Sequence, residues 1–434
     1  MKALFITMMT TGLLQFANLG SGMLAAHLLQ PAGRGDLAAA ILWPTTLSYL
    51  ALFGLQDATL FHAASGRQTA RQIFGAGLLL GSFVTIVAMI LGYFVVIPLA
   101  YEDYSPQVRS LAVLLLLLIP CTIIGTIYQE MLRGYMRLAI WNAMRVALGV
   151  GYLVLILIVY AFGTADVTGF GIAYLLAQSL PLLGGLAVGL RAGWGSWGAS
   201  VPILKQFAAY GLRIHTSNVV AMLNTKIDQM LIATTLDPAS LGLYVVATTM
   251  SQISFTVVNS VTMVAYPRAC GASPAERPAV IGLYFRLSVI IMLSSTAVLW
   301  LIAPVALRLL FGASFMTATP VMRLLLWGAV PFALKDFFVL SFKAYDRALS
   351  ISKAEVVTLV LNAALLAVLV PKFGLMGAAT AFVISRWVSF IYLGLLVRNQ
   401  LGMALAPLFV PTRADLALAQ DVFHRAVNKF GLRV

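Results

Sequence analysis

The chain has 434 residues, of which 61% are hydrophobic and only 10% charged, with a mean hydropathy of +0.96. Soluble domains carry about 25% charged residues, so a soluble enzyme or binding domain is excluded and a membrane protein is required. The formal charge of +14 would suggest nucleic acid in a soluble protein, but most of the Lys and Arg residues here sit in short connections between apolar runs, the pattern of membrane orientation.

The apolar runs are long and continuous rather than alternating, which excludes a β-barrel and predicts an all-α polytopic fold. The first run, from MKALFITMMTTGLLQF to about Leu29, lacks a clear small-residue cleavage site and reads as a span rather than a leader. Spans are expected near 4–29, 37–60, 73–99, 110–132, 141–162, 169–190, 207–234, 241–266, 280–303, 320–342, 351–370 and 375–397. Thr7, Thr11, Gln15 and Asn18 form a polar stripe on the first. Cys121 and Cys270 are far apart and read as small buried residues, with neither a disulfide framework nor metal spacing.

Span seven is the most polar. At about 100° per residue, Arg213, Ser217, Asn224 and Asp228 share one narrow stripe, with Asn218, Thr225 and Gln229 beside it. Val219, Val220, Leu223, Ile227 and Met230 occupy the opposite arc. Ionisable groups at membrane depth cost roughly 2.5–3.5 kcal/mol each on insertion scales, so they face a bundle interior or a wet cavity. The stripe is expected to look into a central cavity; a polar seam between neighbouring helices is the alternative. After residue 411, Leu416, Ala419, Phe423, Ala426, Val427 and Phe430 recur at helical spacing against Arg413, Asp421, Arg425 and Lys429. That tail, 401–434, is expected to be a cytoplasmic amphipathic segment on the anionic inner leaflet.

Twelve spans put both termini on one side. Seventeen Lys and Arg residues fall in the connections and tails of that side, against four, Arg34, Arg109, Arg308 and Lys372, on the other. The positive-inside rule makes both termini cytoplasmic. The chain also repeats itself. Leu29-Gln30-Pro31-Ala32-Gly33-Arg34-Gly35 and Leu236-Asp237-Pro238-Ala239-Ser240-Leu241-Gly242 share Leu-x-Pro-Ala-x-x-Gly. Arg133-Gly134-Tyr135-Met136-Arg137 matches Lys343-Ala344-Tyr345-Asp346-Arg347, and glycine-rich openings at Gly169 and Gly374 follow in the same register. An even number of spans per half makes this a parallel repeat, with six-helix lobes at 1–200 and 201–400.

The segments LLQPAGRGDLAAAI, KIDQMLI, DPASLGLYVVA, LFGASFMTATPVMRLL and VPKFGLMGAATAFVISR together resemble the Wzx-type, polysaccharide-exporting branch of the multidrug/oligosaccharidyl-lipid/polysaccharide (MOP) flippase superfamily. The resemblance covers nearly the whole chain through span twelve. It implies a V-shaped pair of lobes in the bacterial inner membrane that moves an undecaprenyl-diphosphate-type lipid-linked glycan, of the O-antigen or exopolysaccharide kind, from the inner to the outer leaflet. It further implies a cationic cavity, coupling to a proton or sodium gradient without an organic cofactor, and contact with membrane lipids and other polysaccharide assembly proteins, but not with nucleic acid.

A doubly anionic diphosphate needs fixed cations to offset its desolvation. The expected cavity cations are Arg213, Arg386, Lys226 and Lys335. Gln15, Asn18, Asn218, Asn224 and Ser217 supply partners for sugar. Arg213 reads equally as a positive-inside residue, and Lys226 borders the lipid-facing arc, where it could pair or snorkel. Asp228 and Asp57 are the expected ion-coupling carboxylates or, as readily, salt-bridge partners. An organic-cation exporter on the same fold would favour carboxylates. A membrane polymerase or glycosyltransferase generally needs a large loop or an Asp-x-Asp pair, and neither occurs. There is also no Gly-Lys-Ser/Thr phosphate loop for ATP.

Overall fold

The computed structural model describes residues 2–194, 199–273, 276–345 and 349–410; the expected tail helix beyond 410 lies outside them. The described chain is helical, without strands. In order the helices are α1 (Lys2–Ala51), α2 (Leu55–Ser65), α3 (Ala70–Leu91), α4 (Ile97–Ala100), α5 (Pro106–Leu115), α6 (Leu118–Gly134), α7 (Leu138–Ala161) and α8 (Val167–Arg191). They continue as α9 (Val201–Thr235), α10 (Pro238–Ser251), α11 (Ile253–Gly271), α12 (Arg277–Phe311), α13 (Thr319–Ala344), α14 (Leu349–Leu401) and α15 (Ala406–Phe409). A π-turn (Gly92–Val96) joins α3 to α4.

Local chemistry sets the boundaries. Thr69 and Gln72 form a reciprocal capping box at α3. Ser105 caps α5 with Pro106 in its first turn, and the Asp166 carboxylate accepts the Gly169 N–H at 2.7 Å to start α8. α1 is two helical arms that meet at Gln30 (φ 57°), because Pro31 brings no N–H and its ring clashes with the preceding turn. Gln30 holds this left-handed backbone through its side chain, which donates to the His27 carbonyl at 2.9 Å and accepts from Ser314 at 2.7 Å. α14 turns in the same way at Gly374 (φ 53°), just after Pro371.

By length and hydropathy, eight helices are able to cross a membrane, or nine if the bent pair α1–α2 counts as one. The chain is therefore a multi-pass membrane protein. Expectation and observation differ in three places: the second expected span, 37–60, is divided between the second arm of α1 and α2, α14 runs through two expected spans apart from one turn, and α9 is too polar to qualify by hydropathy.

The chain divides into two compact units, 1–246 with 307–317, and 247–306 with 318–434. The first unit therefore extends past the expected lobe boundary at 200 and takes in α9 and the start of α10. Its core is a stripe of buried residues at four-residue spacing, Leu111, Leu115, Ile119, Ile123 and Ile127, anchored where the buried Tyr101 hydroxyl donates to the Ala39 carbonyl at 2.7 Å. At one end of this unit the Gln30 turn meets Ser314, and Tyr104 donates to the Ala233 carbonyl at 2.7 Å. At the other end α2 lies along α9: Phe53 stacks on His215 and His62 on Phe207, each with centroids 4.5 Å apart. The second unit is built on an aromatic core of Phe285, Phe337, Phe338 and Phe390.

The repeated Leu-x-Pro-Ala-x-x-Gly segments touch each other. A Cβ on Gly35 would lie 1.6 Å from the Pro238 carbonyl oxygen, and a Cβ on Gly242 would lie 2.1 Å from that of Pro31. The contact is reciprocal: each glycine lies against the proline carbonyl of the other segment. Only glycine allows backbones this close. Gly35→Ala and Gly242→Ala are each expected to cost about 1–3 kcal/mol as overpacking. Each should lower the thermal denaturation midpoint of the detergent-purified chain, whereas Gly22→Ala, whose Cβ would meet nothing within 4 Å, should not.

Candidate functional site

A cavity of about 570 Å³ opens inside the first unit. Its longest wall is the second arm of α1, which presents Arg34, Ala38, Ile41, Leu42, Thr45 and Tyr49 along one face. Fifteen residues separate Arg34 from Tyr49, so at 1.5 Å per residue this wall is about 22 Å long. α6 contributes Cys121, Thr122, Thr126 and Gln129, α7 Tyr152, and α8 Tyr174, Gln178 and Pro181. α9 closes the cavity with Lys226 and Gln229.

Arg34 and Lys226 are its two charged residues, and no carboxylate is among the lining residues. The Arg34 Nε is buried and has no hydrogen-bond partner among the described residues. Lys226 donates to the Gln229 amide oxygen at a long 3.4 Å, and the Gln178 amide donates to the Tyr174 hydroxyl at 2.8 Å. The site thus holds two cations, phenols, amides and hydroxyls in a setting of low dielectric. Such a site suits a ligand with a strong anion and many hydroxyls.

Of the expected site residues, Lys226 lines this cavity. Asn224 and Asp228 do not: they are 2% and 4% exposed, and Asp228 accepts a hydrogen bond from Tyr244 of α10. On this part of α9 the expected cavity stripe packs as a polar seam, and the cavity-facing arc carries Lys226 and Gln229 instead. Helical spacing identifies which residues share a face; which neighbour that face meets depends on the tertiary contact with α10. Asn218 donates to Asp57 at 2.8 Å, joining α9 to α2. Arg213, Gln15 and Asn18 are exposed and outside the cavity lining, and the Ser217 side chain lies outside the described residues.

The remaining two expected cations are in the second unit. Lys335 pairs with Glu355 at 2.6 Å, both largely buried. Arg386 is 1% exposed, with its guanidinium 4.8 and 4.9 Å from the ring centres of Phe332 and Phe382. Both are held by protein partners.

Arg34 was not expected here. Its sequence position after Pro31 reads as a connection, but the second arm of α1 begins at Pro31, six residues before the expected span, and turns Arg34 inward. Thr122, Thr126 and Gln129 were also missed, although their i, i+4, i+7 spacing within an apolar run was a visible signal.

The family model described as polysaccharide biosynthesis protein matches residues 24–320. None of the curated proteins matches in sequence. Solved structures with the same fold include a lipid II flippase MurJ in an inward closed conformation, at TM-score 0.78 and 15% identity over 91% of this chain and 88% of that one. An inward-facing MATE multidrug-resistance transporter of the MOP superfamily aligns at TM-score 0.69 and 17% identity over 90% and 94%. A MOP-superfamily transporter from Pyrococcus furiosus, reported with a binding pocket of reversed polarity, aligns at TM-score 0.57 and 15% identity over 92% and 94%. The fold is that of the MOP transporters.

The Lys335–Glu355 pair should behave as a structural ion pair. Lys335→Met alone is expected to cost about 3–5 kcal/mol by stranding a buried carboxylate, and adding Glu355→Leu should restore most of it. Chemical denaturation in detergent micelles measures both.

Proposed function

Because this chain belongs to the polysaccharide biosynthesis protein family, we propose that it is a flippase for a polyprenyl-diphosphate-linked oligosaccharide, acting from the inner to the outer leaflet of the bacterial cytoplasmic membrane. One observation carries the reading: the cavity of the first unit holds Arg34 and Lys226 with no carboxylate in its lining. A diphosphate cannot cross hydrocarbon unaided, and two fixed cations in a low-dielectric wall replace its hydration. Arg34, with an Nε that bonds to no described residue, has donors available for a phosphate oxygen. Export of organic cations, the rival on this fold, would require the opposite charge in the same place.

In this reading the two halves of the repeat act as lobes, at 1–200 and 201–400, that rock by alternating access with both termini in the cytoplasm. The reciprocal Gly35–Gly242 contact supports a two-fold relation between them. Ion coupling is assigned to Asp57, held by the neutral Asn218 amide, and to Asp228, held by Tyr244. Arg213 is exposed at the end of the first unit where α2 lies along α9, and serves there as an entry contact for the lipid headgroup.

Deleting the gene should make lipid-linked oligosaccharide accumulate on the cytoplasmic leaflet and deplete surface glycan, and the wild-type gene should reverse both. Charged hydrogen bonds contribute about 1.5–3 kcal/mol, so Arg34→Gln and Lys226→Gln should each slow translocation about tenfold or more with unchanged protein level. Normal surface glycan together with new sensitivity to organic cations would overturn the reading. A separate measurement addresses coupling: Asp57→Asn should retain substrate binding but lose the dependence of translocation on the ion gradient.

A further inference from the structure

The cavity is chemically divided along its length. Arg34 is four residues from the Gln30 turn, and Lys226 is nine residues from the end of α9, which places both cations toward the Gln30 end of the first unit. Toward the opposite end, where α6 finishes at Gly134, the wall is uncharged. There α6 turns Thr122, Thr126 and Gln129 into the cavity at i, i+4 and i+7, a ladder about 10 Å long. Tyr49 is the α1 lining residue farthest from the cations and is more than half exposed.

These groups are available to a ligand. The side chains of Thr122, Thr126 and Gln129 make no hydrogen bond to any described residue. Thr45, on the α1 wall of the same cavity, instead donates to the Ile41 carbonyl at 2.7 Å, the usual resting place of a threonine in an apolar helix. The next charges along α6 neutralise each other, Glu130 with Arg133 at 3.1 Å. A row of unbonded hydroxyl and amide groups, with a phenol beside it and no cation within it, matches the hydroxyls of an uncharged sugar and has no fixed charge to compensate the desolvation of a carboxylate.

Resting on the flippase reading, we propose that the α6 ladder of Thr122, Thr126 and Gln129 is the glycan-reading subsite. It holds neutral sugar next to the diphosphate, while Arg34 and Lys226 hold the diphosphate itself. The ladder determines specificity, and the cations hold any polyprenyl diphosphate whatever it carries.

The test uses the full-length chain in detergent and three probes: a short-chain polyprenyl diphosphate without sugar, the same lipid bearing a neutral hexose, and the same lipid bearing a uronic acid. Wild type is expected to bind the hexose lipid about tenfold more tightly than the bare lipid, and the uronic acid lipid no better than the bare lipid. Thr126→Val with Gln129→Leu should erase the hexose preference and leave affinity for the bare lipid unchanged, which also shows that the variant is folded. Thr126→Ser alone should keep the preference. Arg34→Gln with Lys226→Gln should weaken all three probes by the same factor. Equal binding of hexose and bare lipid by wild type, or a preference for the uronic acid lipid, would overturn the ladder while leaving the flippase reading intact. Failure of wild type to bind any of the three would overturn both.

Discussion

The backbone contact between Gly35 and Gly242 is the constraint on which the first unit depends. Two segments with the same Leu-x-Pro-Ala-x-x-Gly pattern approach until each glycine lies against the other segment's proline carbonyl. No side chain intervenes, so the separation and rotation of the two helical segments are fixed by peptide geometry. Arg34 immediately precedes Gly35 and is positioned by that contact. The α9–α10 junction is held at the same place, and Lys226 follows from it a few turns down α9.

The cavity built on this contact has an uncommon electrostatic property. Buried cations in membrane proteins are normally paired, as Lys335 is with Glu355 and as Arg386 is between two aromatic rings. Arg34 and Lys226 line open volume with no carboxylate in the wall. Removing charge from water costs several kcal/mol per ion even after relaxation; Asp228 on the same helix offsets part of this for Lys226, and an anionic ligand in the cavity would offset the rest for both cations. The second unit, with its paired cations and Phe-rich core, shows how the same chain compensates charge for stability.

Much of the fold was legible in the sequence. The apolar runs coincide with helices, and the turns at Gln30 and Gly374 fall in the connections that Pro31 and Pro371 mark. The two Leu-x-Pro-Ala-x-x-Gly segments that the sequence pairs by pattern touch each other. The site was less legible. Periodicity grouped Asn224 with Asp228 correctly as one face, but could not reveal that Tyr244 would claim that face. Lys226, expected as a cavity cation although it borders the lipid-facing arc, does line the cavity, because α9 turns that arc toward it. Arg34 was hidden by a helix that starts six residues early. Helix boundaries and helix rotation, the two quantities that decide what enters a cavity, are set by tertiary contacts that local pattern does not encode.

The two cations in the cavity also bear on how membrane voltage acts on the cycle. Moving one elementary charge across the full membrane field is worth about 2.3 kcal/mol per 100 mV. With the proposed diphosphate bound, the charges of Arg34 and Lys226 are cancelled, and the loaded cavity is close to electrically silent. Once the anion leaves, two positive charges remain in the wall, and an inside-negative potential pulls them toward the cytoplasm. Voltage would then do its work on the empty protein, hastening its return for the next substrate rather than pushing the substrate across.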